Sequence, residues 1–141
     1  MDERKQIERE TIEKMRMHFV FNSLNGIHHM IDKNPEVAKE MVYDLSMVLR
    51  GYVDMITCER KIATEEELDY VESYIRLMNA GRDYLTLEIR GVVEGEMMAG
   101  EILVPLAAKI KEEVISQSLF YRVIVTLNDG PPAIEIVIGD R

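Results

Sequence analysis

A single cysteine, Cys58, occurs in the 141-residue chain, which excludes an internal disulfide framework and suits a reducing compartment. Cationic side chains are in the minority, 17 Lys and Arg against 26 Asp and Glu. The resulting net charge of −9 speaks against nucleic acid as the main partner, because phosphate neutralisation takes clustered Lys and Arg. No apolar run approaches the roughly 20 residues needed to span a bilayer, so no membrane segment is expected. No signal peptide precedes the first charged stretch either, and a cytoplasmic chain, or the cytosolic piece of a longer one, is expected. Repeats, low-complexity tracts and a Walker-type phosphate loop are also missing. What is present, 47% hydrophobic and 30% charged residues, is the composition of a folding chain rather than a disordered one.

The apolar periodicity predicts a first helix from residue 3 to about 31, amphipathic from Ile12 onward. Ile12, Val20, Leu24, Ile27 and Ile31 gather on one side of it, with Met15 and Phe19 at the edge. Asn34 is a good N-cap for a second helix, with Pro35 at its first position and Glu36 complementing the positive end of the dipole. That helix, about 35 to 57, carries a seam of Val42, Leu45, Leu49, Tyr52 and Ile56, widened by Val37, Met41 and Val48. Two amphipathic helices with a short connection make an antiparallel hairpin, which cannot bury both faces alone. Pairing with a second copy into a four-helix bundle is the economical solution, and a homodimer is expected.

The link 57–63 breaks this pattern. Thr64, followed three residues later by Glu67, reads as a capping box opening a third helix, with Leu68, Val71, Ile75 and Met78 on its apolar face and Gly81 placed to end it. The carboxylates Glu65, Glu66, Glu67, Asp69 and Glu72 read as an acidic helix start rather than a metal or catalytic acid site. Leu85, Leu87 and Ile89 then alternate with Thr86, Glu88 and Arg90, as in a half-buried strand. An irregular stretch, 91–101, precedes a helix predicted over 102–118 and entered through Pro105. Strands over 122–127 and 133–138 follow, joined by the turn-rich 128–132, with Phe120 and Tyr121 expected to close the sheet's core. Met41, Met47, Met55 and Met78 fit as helix packing, while Met97 and Met98 flank a loop. The expected class is α+β: the helical hairpin over 1–62, then a lobe over 63–141 with helices on one face of a small antiparallel sheet.

At 100° per residue, His18, Asn22, Asn25 and His29 fall in one polar stripe of the first helix. A solvated face would account for the spacing alone; the residue order says more. His18-Phe19-Val20-Phe21-Asn22-Ser23-Leu24-Asn25 resembles the phosphoacceptor box of the LytS-type sensor histidine kinases, N-P-H-F-[LIV]-F-N-[ST]-L-N. Asp44-Leu45-Ser46-x-x-Leu49-Arg50-Gly51-Tyr52 is similar to the family's second dimerisation helix, and Thr64 to Ile75 to the helix leading into its ATP-binding domain. Asp83-Tyr84-Leu85-x-Leu87-x-Ile89 resembles that domain's first strand. The resemblance implies His18 as phosphoacceptor, a neutral imidazole being a competent nucleophile toward phosphorus. It sets Asn22 and Asn25 beside His18; Arg16, by its charge, is a candidate to help hold a phosphoryl group. Arg16-Met17 replaces the family's Asn-Pro, which predicts a straighter helix around His18. A metal site from His18, His28 and His29 is disfavoured, since neighbouring helical histidines diverge by about 100°.

The second half departs from the family pattern. The family's N-box, P-L-V-E-N-A-I-K-H-G, uses its Asn to hold Mg²⁺ against the nucleotide; here Glu113 stands in that position and Gln117-Ser118 replaces His-Gly. The Asp-x-Gly box that recognises adenine would begin at Ile138-Gly139-Asp140-Arg141, making Asp140 its nearest counterpart, and the Gly-rich lid is absent. Glu113 and Asp140 are thus the candidate cofactor-binding positions, no cofactor is expected for this chain, and ATP with Mg²⁺ only where the family site is completed elsewhere. The resemblance implies a two-component phosphorelay role with a response-regulator receiver domain as partner, without autokinase activity from this chain alone. The alternative is a non-catalytic pseudokinase that serves as a dimerisation or docking scaffold.

Overall fold

The computed structural model describes residues 3–57, 60–80 and 82–139, with 4, 5, 7–9, 11, 12 and 15 described by backbone only. Expectations resting on Cys58, Gly81, Asp140, Arg141 and the side chains of Ile12 and Met15 lie outside the described residues. The first two helices are α1 (Glu3–Lys33) and α2 (Pro35–Thr57). Asn34 caps α2 as its position predicts: its Oδ1 accepts from Val37 N–H at 3.3 Å, and its own N–H closes α1 on Met30 O at 2.8 Å. Helix α1 runs unbroken through Arg16, Met17 and His18.

The hairpin divides its apolar residues differently from the expected seams. Ile27, Met41 and Leu45 pack together with Leu77 from the third helix, joined by Phe19, Met30 and Val37. Leu24 and Ile31, placed by periodicity on the same side as Ile27, are about half exposed, as are Val42 and, more strongly, Ile56 from the α2 seam. The reason is a second neighbour. The third helix lies on α2 and claims the arc holding Asp44, Val48 and Gly51, rotating the buried face away from Val42 and Leu49. Two polar contacts fix that crossing. Buried Asp44 accepts from Arg76 Nε and Nη2, each at 3.1 Å, and Asp54 accepts from Tyr70 Oη at 2.6 Å. Burial, followed by the Asp54 hydrogen bond, pushes the Tyr70 phenol well above its ordinary pKa, so it stays a donor.

The chain continues through β1 (Ile62–Ala63), α3 (Thr64–Met78), β2 (Leu85–Gly91), β3 (Glu96–Met97), α4 (Leu103–Glu113), β4 (Tyr121–Leu127) and β5 (Ala133–Ile138). The expected antiparallel sheet is in fact mixed, in the order β2-β4-β5. β2 and β4 run parallel in register Leu85↔Tyr121 to Gly91↔Leu127, while β4 and β5 are antiparallel. The connections dictate this. Helix α4 intervenes between β2 and β4 and returns the chain to the same end of the sheet, whereas a short turn joins β4 to β5. Tyr121, Val123, Val125 and Leu127 of the central strand share one face and meet Val71 and Ile75 of α3 and Leu103, Leu106 and Ile110 of α4; Val48 of α2 joins the same core. Part of the stretch expected to be irregular forms β3, which pairs with β1 and buries Met97.

Three local expectations are corrected. The capping box does not form: Ala63 is the N-cap of α3 with no side-chain cap, Thr64 N–H donates to Gly95 O at 3.0 Å, and Glu67 turns elsewhere. Helix α4 stops at Glu113, five residues before 118. Val114 turns extended, and the N–H groups of Ile115 and Ser116 donate to Tyr121 Oη at 3.3 Å each, an acceptor that only the folded sheet supplies. Phe120 is 38% exposed, with the Arg82 guanidinium 5.9 Å from its ring centre, so Tyr121 alone of the pair closes the core. At the far end of α3 the helix gives way at Asn79, whose Oδ1 accepts from Tyr84 and Leu85 N–H at 3.1 and 2.9 Å and so fixes the start of β2.

Candidate functional site

The polar stripe is present as spaced: His18, Asn22, Asn25 and His29 all face solvent on α1. One turn separates His18 from Asn22, and the Asn22 amide nitrogen lies 3.2 Å from His18 Nδ1. That contact orients the imidazole with Nδ1 toward the carboxamide, leaving Nε2 as the nitrogen free of it. Which ring nitrogen carries the proton follows from the carboxamide rotamer: an amide N–H makes Nδ1 the acceptor, and the carboxamide oxygen makes it the donor. Asn25 and His29 share the stripe's exposure further along the helix, and His28 is likewise exposed.

Arg16 departs from the stripe. Two residues before His18, it turns inward, its guanidinium carbon 5.3 Å from the centre of the Tyr52 ring and Nη2 4.0 Å from Met55 Sδ. Its buried Nε has no hydrogen-bond partner among the described residues. Arg16 and His18 nevertheless border the same cavity, of about 380 Å³, which opens between α1, the Tyr52 and Tyr74 rings and α4. Phe19 stacks on Tyr74 along its wall with ring centres 4.8 Å apart. Burial pushes the Tyr52 pKa up to about 12, partly opposed by the Arg16 charge. This cavity has no signature in the sequence because its walls come from four helices; Arg16 at an otherwise apolar position of α1 is the one available signal.

Of the two candidate cofactor positions, Glu113 is not drawn to His18. Glu113, the last residue of α4, is exposed, pairs with Lys109 at 3.4 Å and does not line the cavity. Asp140 lies outside the described residues. The start of α4, a natural anion site, is already filled: Glu67 accepts from Gly100 N–H at 2.9 Å, Ile102 N–H at 3.0 Å and Leu103 N–H at 2.9 Å. Glu113 is thus tied to a lysine, and the N–H groups at the start of α4 are taken by Glu67. Among the described residues no group of His, Cys, Asp and Glu is arranged to hold a metal ion, and no helix is long and apolar enough to cross a membrane.

The stripe and the helices that carry it coincide with a family match. The histidine kinase family model matches residues 9–84, just over half the chain and all of α2 and α3. The chain belongs to the histidine kinase family. It is 33% identical over 75 residues to an uncharacterized sensor-like histidine kinase of Staphylococcus epidermidis (strain ATCC 12228 / FDA PCI 1200), covering 53% of this chain and 14% of that protein. It is equally similar, over 75 residues and 13% of the relative, to the sensor protein kinase HptS of Staphylococcus aureus (strain USA300). The aligned part thus spans about one-seventh of these curated relatives. No solved structure matches. For a histidine kinase family member, the matched segment is the one that holds His18, Asn22 and the α1–α2 hairpin.

Proposed function

We propose that this chain is a dimerising phosphoacceptor module of two-component signalling, in which His18 accepts a phosphoryl group and passes it to a response-regulator receiver domain. The observation that carries the reading is His18 itself: a solvent-facing imidazole on a continuous helix, held by Asn22 at 3.2 Å, within the family-matched segment. The Asn22 amide nitrogen faces Nδ1; turning the carboxamide over brings its oxygen there instead, so that Nδ1 holds the proton and donates it as a hydrogen bond while the lone pair of Nε2 attacks phosphorus. The P–N bond forms as the P–O bond of the donor breaks, and the donor oxygen leaves with the electron pair. Transfer to a receiver aspartate reverses the roles, the carboxylate oxygen displacing Nε2. The test is incubation of the full chain with a phosphorylated receiver domain or with acetyl phosphate, following acid-labile phosphate on wild type and His18→Ala. Label on wild type that is lost in the variant is the expected result. A folded wild type that takes no label supports the docking-scaffold reading instead, which the exposed, lysine-paired Glu113 favours.

Homodimerisation belongs to the same reading. Helix α1 leaves Met17, Phe21, Leu24 and Ile31 about half exposed, and α2 leaves Val42, Leu49, Val53 and Ile56 exposed. Both sets step by threes, fours and sevens, the spacing of a bundle seam that lacks its opposite half. A second copy supplies that half with the same residues, as a two-fold interface requires. Leu24→Glu combined with Val53→Glu is expected to weaken self-association by roughly a hundredfold or more. Sedimentation equilibrium reads this directly; a wild type that remains monomeric at all concentrations would remove the dimer from the proposal.

A further inference from the structure

We propose that the cavity between α1 and α4 binds a planar aromatic monocarboxylate, its ring against Phe19, Tyr52 and Tyr74 and its carboxylate on Arg16. Charge is the first argument. In a chain of net charge −9, the cavity is lined by Arg16 and Lys111 and, among the described residues, by no Asp or Glu. Among the described residues neither cation takes part in an ion pair, and Arg16 is inside the fold with a buried Nε that has no acceptor. A guanidinium whose Nε is buried without an acceptor is costly, and the stacking on Tyr52 compensates only part of that cost. A bound carboxylate is the chemistry that completes it, with the two-pronged geometry a guanidinium favours.

Shape is the second argument. The volume of about 380 Å³ lies in the range of small-molecule sites, roughly 300–1,000 Å³. The walls are aromatic rings from three helices, while Ala107 and Ala108 on α4 contribute only methyl groups and so keep the space open. Burial holds the Tyr52 phenol in its neutral form, so it adds a donor and no competing negative charge. A cationic ligand would be repelled by Arg16 and Lys111, and a wholly apolar one would leave Arg16 as it is. His18 borders the same space, so an occupant would sit beside the imidazole. That consequence for phosphorylation rests on the function proposed above, whereas binding itself does not.

The test uses the full chain and two isosteric probes, naphthylacetate and its neutral amide, followed by saturation-transfer NMR and isothermal titration without any phosphodonor. The acid is expected to bind at least about tenfold more tightly than the amide. Arg16→Met should remove that preference, and Ala107→Trp, which fills the space, should abolish binding of both. Ala108→Leu provides a second filling variant should Ala107→Trp fail to fold. Equal binding of acid and amide, binding unchanged in Arg16→Met, or binding retained in a folded filling variant would overturn the proposal. So would the absence of saturation by wild type up to about 10 mM acid. Because no phosphoryl transfer is measured, failure here leaves the role of His18 untouched, and an inert His18 leaves this site untouched.

Discussion

Glu67→Ala is expected to destabilise the chain by roughly 3–5 kcal/mol, more than substitution of any other carboxylate in α3. The side chain is fully buried and accepts from three backbone N–H groups, those of Gly100, Ile102 and Leu103. These are donors at the start of α4, where the helix presents its positive end, so the carboxylate is favoured by hydrogen bonding and by the dipole together. Truncation leaves all three donors buried without a partner, and each such loss costs about 1–3 kcal/mol, with some relief by relaxation of the segment. Glu67→Gln separates charge from shape. It keeps one acceptor oxygen but turns an amide NH₂ toward a backbone N–H, so a loss intermediate between wild type and Glu67→Ala is expected. Glu65→Ala and Glu66→Ala, at exposed positions of the same turn, should stay within about 0.5 kcal/mol of wild type. Urea unfolding of the four variants reads the whole series. A Glu67→Ala midpoint indistinguishable from that of Glu65→Ala would show that α4 is held by its apolar face alone.

Glu67 also marks where the sequence stops being informative. Local patterns with local causes are legible: Asn34 as a cap, the α1 and α2 spans, the alternation that makes β2, and the turn-rich stretch that separates β4 from β5. The His18–Asn22 stripe is legible for the same reason, since four residues along one helix decide it. A buried carboxylate serving a loop 33 or more residues away has no local signature, and Thr64 with Glu67 imitates a capping box because the two motifs share a spacing. The end of α4 depends similarly on the Tyr121 hydroxyl, which arrives only when β4 is in place. The mixed sheet escapes a reading that treats α4 as an insertion rather than a crossover. On α1, a periodicity of 3.6 identifies apolar residues without saying which neighbour takes them. Ile27 goes to α2, while Leu24 and Ile31 are left outward, where the proposed second copy would use them.

The second large effect is expected from Gly91→Ala, compared with Gly95→Ala a few residues later. Both glycines have positive φ, +96° and +76°, so both substitutions meet the backbone penalty of an L side chain, about 1 kcal/mol. They differ in what surrounds the new methyl group. At Gly95 nothing lies within 4 Å; at Gly91 the added Cβ would stand 1.9 Å from Leu127 O and 2.9 Å from its carbonyl carbon. Those are backbone atoms of the central strand, and Gly91↔Leu127 is the last pair of the parallel β2–β4 ladder. The clash can be relieved only by parting the strands there or by displacing the turn that follows. That turn leads to Gly95 O, which accepts Thr64 N–H at the start of α3, and onward through β3 to the segment held by Glu67. Gly91→Ala should therefore cost about 3 kcal/mol, with Gly95→Ala near 1 kcal/mol. Urea unfolding gives the two values, and amide hydrogen exchange at Leu127 and Thr64 shows how far the strain travels. Equal costs would mean that the strand ends separate freely and that the link from β2 to the start of α3 transmits nothing. Unequal costs, with faster exchange at Thr64, would mean that the sheet edge and the helices around the cavity are stabilised as one unit.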